Sequence, residues 1–278
     1  MASNIEAPTP LVFDEMGVFW EEIAEKSKTE SQIKLVKENI KSKGRILDLS
    51  CGTGRHSVPL TKEGYKIVGL DVSASLLRLA KKKADRENVD LPLIRGDMRY
   101  LPFKADSIKA IFSLDTSFGY LSTDQEDKQA LQDLFRILKK TGILLLDVFN
   151  WKYEKIKGQR GITLTIYNYF FNLFKPLFLI WPGTLYKLFS WREYPSFYLI
   201  QKRTINSKRK MLYDLWIILK KEHFELKIFR HKVRLYSLNK LKNMLKQTGY
   251  VIENFYGNYK KQALTVDSHR LIVIARKN

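Results

Sequence analysis

Between Gly44 and Asn150 short apolar runs alternate with longer amphipathic stretches. GRILDLS carries Ile46, Leu47 and Leu49 together and predicts a buried strand. YKIVGLD (65–71), LPLIRGD (91–97), IKAIFSL (108–114) and GILLLDVFN (142–150) predict four more. The unbroken run in the last of these is expected when both faces of a strand are covered. Between the runs lie helical patterns: one from about Ser57, one over SASLLRLAKKKADRE with Leu76, Leu77 and Ala80 on a single face, and one over DQEDKQALQDLFRILKK. Strands and helices alternating at this spacing predict a doubly wound, mostly parallel α/β sheet.

Residues 11–40 read as an amphipathic helical lead-in. After Asn150 the rhythm changes. FYLIQKRTIN, MLYDLWIILKK and FELKIFRHKVRLY predict three strands of a small antiparallel meander, turned at NSKRK and KEH. The α/β pattern then returns. SLNKLKNMLKQTGY predicts a helix stopped by Gly249, and VIENFYG and RLIVIARK predict two last strands, which makes seven in the main sheet. The expected division is a lead-in or lid at 1–43, a cofactor-binding core at 44–150, an inserted cap at 151–236 and completion of the core at 237–278.

The cap opens with NYFFNLFKPLFLIWPGTLYKLFSW, Asn168 to Trp191, whose only charges are Lys175 and Lys187. The longest uncharged run nearby, Gly161 to Phe174, has fourteen residues. A spanning helix needs roughly 20 apolar residues, so a transmembrane reading is disfavoured. A lid or dimer seam, a lipid-facing surface and an RNA-stacking surface remain open.

Charge sharpens the contrast between the halves. Residues 1–150 hold 23 Lys and Arg against 22 Asp and Glu; residues 151–278 hold 26 against 7. The second half is therefore suited to an anionic substrate, an acidic lipid surface or nucleic acid. Cys51 is the single cysteine, which excludes a disulfide framework or a Cys-rich zinc site; no metal is expected. MASNIEAPTP shows no basic-then-apolar leader pattern.

The densest chemical signal is ILDLSCGTG, Ile46 to Gly54, with Asp71 seventeen residues beyond it. A turn of small residues lets backbone N–H groups approach a ligand, the following helix offers its positive end, and an acid ending the next strand can hold ribose hydroxyls. The glycine spacing is not that of the dinucleotide fingerprint, and no Gly-Lys-Ser/Thr follows as in a P-loop.

Five segments in order resemble the motifs of class I S-adenosylmethionine-dependent methyltransferases: ILDLSCGTGRHS, VGLDVS, RGDMRYLPF, FSLDTSFGYL and RILKKTGILLLD. The resemblance covers 45–150 well and 231–278 more loosely, and implies a Rossmann-like sheet and S-adenosylmethionine as cofactor. It implies that Asp48, Ser50 (at the usual first glycine), Gly52 and Gly54 hold the methionine part, with Thr53 and Val72 also among the cofactor-binding residues. Asp71 would meet the ribose, Asp97 and Met98 the adenine, and Leu114 and Asp115 would lie near the sulfonium. Arg234 and Tyr236, in VRLYS, resemble an R-x-Y-[ST] element of a subset with an added small sheet, and so become substrate candidates beside Tyr120 and Trp20. Phe19 is a further cover for the pocket.

Methyl transfer is an in-line displacement served mainly by positioning and exclusion of water. A general base is needed only where the acceptor must lose a proton; candidates are His231, Tyr236, Tyr120 and Asp267. LDTSFGY lacks the Asn/Asp-Pro-Pro-Tyr element of base-flipping amino-methyltransferases. Cys51 in the cofactor loop is not placed as the nucleophile of a pyrimidine C5-methyltransferase.

The expected protein is a cytoplasmic methyltransferase, with peripheral membrane association in view, acting on an apolar or anionic small-molecule or lipid-like acceptor. An anionic membrane surface and a second copy in a homodimer are candidate partners; nucleic acid is less favoured. The alternatives are an RNA or protein methyltransferase using the basic half, and a non-catalytic S-adenosylmethionine-binding module.

Overall fold

The structure, a computed structural model, describes residues 9–23, 26–41, 44–160 and 190–278. The main sheet contains seven strands: β1 Ile46–Leu49, β2 Ile67–Asp71, β3 Leu93–Arg95, β4 Ile108–Ser113, β5 Leu138–Phe149, β10 Tyr250–Tyr256 and β11 Arg270–Lys277. Their spatial order is β10-β11-β5-β4-β1-β2-β3. β11 runs antiparallel to β5 and β10, and the remaining pairs are parallel. The chain moves outward from β1 through β2 to β3, then returns to place β4 on the other side of β1. The crevice at this switch point, beyond the carboxyl ends of the strands, is where such sheets bind ligands.

Successive side chains of a strand point to opposite faces, so the sheet builds two cores. Leu47, Leu49, Val68 and Leu70 join Leu131 and Leu134 of α5 (Asp124–Ile137) and Leu241 and Leu245 of α7 (Leu238–Thr248) on one face. On the other, Ile46 and Ile67 meet Leu35 and Val36 of α2 (Lys26–Asn39), Val58 and Leu60 of α3 (Ser57–Lys62), and Ala84 of α4 (Ala74–Arg86). Helix starts follow local chemistry. Thr123 and Glu126 form a reciprocal capping box on α5, and Ser73 and Ser237 cap α4 and α7. Gly249 ends α7 with φ +103°, as expected, with the Phe135 ring against it.

The small sheet is antiparallel but has four strands, not the three expected: β6 Ser190–Glu193, β7 Phe197–Asn206, β8 Met211–Lys220 and β9 Leu226–Arg234. β6 was hidden because four residues, two of them charged, give no readable alternation. The lead-in forms two helices, α1 Thr9–Ile23 and α2. α1 lies against the small sheet, with Val12, Met16 and Phe19 packed on Phe197, Leu199, Trp216, Ile218 and Phe229. It is tied to α4 by Asp14, whose carboxylate accepts from Ser75 N–H at 3.0 Å and Ser73 Oγ at 2.6 Å.

α6 (Trp151–Arg160) leads toward the aromatic stretch. Of that stretch only Ser190 and Trp191 are described, Trp191 stacking on Tyr198 at 5.4 Å; the expectations for residues 168–189 lie outside the described residues. No helix among the described residues is long and apolar enough to cross a membrane.

Candidate active site

A cavity of about 640 Å³ opens beyond the carboxyl ends of β1, β2, β3 and β4. At one end its wall is built by Ser50, Gly52, Asp71, Val72, Asp97, Met98 and Asp115. The loop after β1 turns through three left-handed residues, Ser50 (φ +60°), Gly52 (φ +56°) and Gly54 (φ +70°). A Cβ added at Gly52 would meet nothing within 4 Å among the described residues, so the loop backbone there leaves room for a ligand to approach. At Gly54 a Cβ would meet Ala80 and Val58 at 3.2 and 3.3 Å; this glycine lets α4 pack closely. Asp48, Thr53, Gly54 and Leu114 are buried and take no part in the wall.

Parallel pairing of β1 with β2 sets the Asp71 carboxylate against the loop, where it accepts from Gly52 N–H and Ser73 N–H, each at 2.9 Å. Burial raises its pKa above the ordinary value, and those N–H donors partly offset the shift. Asp48 accepts from Ser57 Oγ, and burial pushes its carboxyl up to about 7. At Asp97 burial opposes ionisation. Arg99, with Nη2 at 2.6 Å from Oδ2, outweighs it and holds the carboxyl below its ordinary value.

Asp115 occupies a left-handed turn (φ +58°), and its N–H donates to Asp147 at 2.8 Å. Its carboxylate is clamped by Lys28 and by Arg55 Nη2, the latter at 2.9 Å. Burial works against this charge, but Lys28, Arg55 and Arg270 overcome it, and Asp115 stays ionised far into acid. Arg55 also donates to Thr29 (2.7 Å) and Gln32 (2.9 Å), which fastens α2 beside the loop. Neither Lys28 nor Arg55 was anticipated. Arg55 follows Gly54 directly and was legible as a loop cation; Lys28 arrives only through tertiary packing.

The other end of the cavity belongs to α1, the loop after β4 and the small sheet. Phe13, Trp20 and Tyr120 line it, with Asp214 of β8 and His231 of β9. Phe13 and Tyr120 meet edge to face at 5.0 Å, and Trp20 stacks on Trp216 at 5.8 Å. Phe19 packs against Phe197 at 5.1 Å and does not line the cavity. Burial, then the Asp214 carboxylate, raises the Tyr120 hydroxyl above its ordinary value, so this phenol keeps its proton at neutral pH.

Arg234 and Tyr236 are not in the cavity wall. Tyr236 is fully buried and its hydroxyl donates to Asp127 at 2.7 Å. Arg234 pairs with Asp127 and Asp124, both at 2.8 Å, and donates to the Ser122 carbonyl at 3.0 Å. Ser237 caps α7. The VRLYS segment is thus a staple joining the small sheet to the N-termini of α5 and α7, and the charge and hydroxyl proposed for substrate are consumed by structure. Asp267 lies exposed on the loop between β10 and β11, outside the wall.

Residues 46–142 match the family model described as Methyltransferase domain. The chain is 30% identical over 138 residues to the putative methyltransferase YqeM of Bacillus subtilis (strain 168), covering 50% of this chain and 56% of that protein. It is 37% identical over 106 residues to a demethylmenaquinone methyltransferase of Streptomyces avermitilis, covering 38% and 42% respectively. The chain thus spans about half the length of the curated relatives it matches. The fold is similar across almost its whole length to the CcbJ methyltransferase of Streptomyces caelestis, with TM-score 0.75, 15% identity, and 96% and 97% of the two chains covered. Five ordered motifs and the match over 46–142 agree: this segment is similar to the methyltransferase domain, and the fold is similar to that of a solved methyltransferase.

Proposed function

We propose that this protein moves a methyl group from S-adenosylmethionine to a small acceptor carrying an apolar body. The observation behind this reading is the single cavity of about 640 Å³ that joins the Ser50–Gly52–Asp71–Asp97 end to the Phe13–Trp20–Tyr120 end. That volume falls within the roughly 300–1,000 Å³ typical of small-molecule sites. Ser50, Gly52, Asp71 and Asp97 would hold the cofactor, which supplies an electrophilic methyl group. The protein's part is to orient the acceptor and exclude water.

The aromatic wall favours a flat or lipid-like acceptor, and Lys202, Arg230 and Lys232 on the small sheet favour one bearing negative charge away from its reacting end. A cytoplasmic protein meeting an anionic membrane surface from one side fits the same reading. A macromolecular acceptor is the second reading, favoured by a basic groove in which Lys128, Lys208, Arg209 and Lys210 lie together.

The test is transfer of radiolabel from methyl-labelled S-adenosylmethionine into a cell extract, followed by separation of organic, aqueous, RNA and protein fractions. Label in the organic or small-molecule fraction supports the proposal. Label in RNA or protein supports the second reading. Tight cofactor binding with no transfer to any fraction would leave a non-catalytic module.

A further inference from the structure

We infer that Asp214 and His231 form a subsite for the acceptor's reacting hydroxyl or amino group, in which His231 takes the proton and Asp214 orients the ring. This rests on the methyltransferase reading and names the acceptor chemistry within it.

Asp214 and His231 are direct partners across β8 and β9. Their side chains are only 3% and 6% exposed, yet both line the cavity. Asp214 Oδ2 is saturated: it accepts from Gln201 Nε2 at 2.6 Å and Arg203 Nε at 3.0 Å, with His231 Nε2 at 3.8 Å. Asp214 Oδ1 and His231 Nδ1, by contrast, have no hydrogen-bond partner among the described residues. Buried polar atoms are nearly always paired, so two orphans on neighbouring residues of a cavity wall mark a place for a ligand group.

Their chemistry restricts that group. A carboxylate oxygen only accepts, so the ligand atom must donate to Oδ1; a ring nitrogen lone pair also seeks a donor. An amine can donate to both atoms, and a hydroxyl to one of them. A carboxylate or phosphate would face the Asp214 charge, and a carbon or thioether acceptor would leave both orphans unpaired. The aromatic side chains of Phe13 and Tyr120, with ring centroids 6.3 and 6.0 Å from the His231 imidazole, would flank the body of such a molecule.

The step balances simply. The lone pair of the acceptor O or N forms the new bond to the methyl carbon, and the S–CH₃ pair returns to sulfur, leaving a thioether. The acceptor proton passes to His231 Nδ1, and the imidazolium that forms is stabilised by Asp214 before the proton leaves to solvent. Burial depresses the His231 pKa, Asp214 partly counteracts this and Arg203 reinforces it, so the ring is neutral near pH 7 and ready to accept. Among the described residues Tyr120 also faces it, and Tyr120 keeps its proton.

The test uses the full chain with ¹⁵N-labelled histidine and bound S-adenosylhomocysteine. Benzyl alcohol, benzylamine, benzyl methyl ether and benzoate are added separately. The alcohol and amine should move the His231 ¹⁵N resonances, the ether and benzoate should not, and Asp214→Asn should abolish the response. In the label-transfer assay His231→Gln should lower turnover by about 10²- to 10⁴-fold, the range for general-base catalysis, and Asp214→Asn should alter the pH profile, while calorimetry shows cofactor affinity unchanged. An equal response to benzoate, no response to any probe, or a wild-type pH profile in Asp214→Asn overturns the inference. A selective His231 response with no label transfer by the wild type would instead sink the methyltransferase reading and leave the subsite standing.

Discussion

Gly52 donates its backbone N–H to Asp71 Oδ2 at 2.9 Å, which ties the loop after β1 to the end of β2. Asp71 therefore has two tasks, holding the loop and facing the cavity. Asp71→Ala should abolish binding of S-adenosylhomocysteine in calorimetry. It should also destabilise the fold by about 1–3 kcal/mol in urea denaturation, because buried N–H groups lose their acceptor. Asp71→Asn keeps one acceptor oxygen for one of the two N–H groups and turns its NH2 toward the other, so it should recover only part of the stability and little of the affinity. Unchanged affinity in the alanine variant would remove Asp71 from the cofactor site.

Ser50 holds a left-handed backbone at φ +60°, where the related motif carries glycine. A non-glycine residue is disfavoured there by roughly 1–2 kcal/mol, and glycine gives back about 0.5–1 through its freer unfolded chain. Ser50→Gly should accordingly raise stability by up to about 1 kcal/mol, read as a higher urea midpoint. A lower midpoint would mean that the Ser50 side chain, not its backbone, matters to the loop.

The Tyr236 hydroxyl donates to Asp127 at 2.7 Å inside the core. Tyr236→Phe leaves that carboxylate short of a donor, at a cost of about 1–3 kcal/mol in stability. Label transfer per folded molecule should not change. A large loss of turnover with normal stability would return Tyr236 to the catalytic group.

Asp48 has an ordinary pKa of 3.8 that burial moves to about 7 in the folded chain. The folded state binds this proton more tightly than the unfolded state. Its charge therefore weakens the fold increasingly as pH rises from about 4 to 7, and fully above 7. Asp48→Asn removes that dependence. The melting temperature of Asp48→Asn minus that of the wild type, both without ligand, should be more positive at pH 8 than at pH 5. A difference independent of pH would show that Asp48 titrates in its ordinary range.

Much of the core was legible because its signals are local. Strand runs such as GRILDLS, the helical face of Leu76, Leu77 and Ala80 and the stop at Gly249 all follow from short-range sterics, hydrogen bonding and residue period. Seven strands of the main sheet could be read for the same reason. β6 could not, since four residues hold no period.

The acceptor end divides differently. His231, Tyr120 and Trp20 could be nominated by residue type, but nothing along the chain distinguished them from Arg234 and Tyr236, which stand a few positions from His231 and are bound up in a structural staple. Asp214 was not nominated at all. Its role depends on being opposite His231 in an antiparallel register, and a strand slipped by one residue would have turned it to the other face. Lys28 reaches Asp115 across 87 residues of sequence, and Phe13 reaches His231 from the first helix. The sequence by itself determined the strands, the small-residue loop after β1 and the acid that ends β2, because each is written in a short run of neighbouring residues. Only the tertiary structure decided which side chains line the aromatic end of the cavity, because burial, register and charge pairing at that end are made by residues distant in sequence.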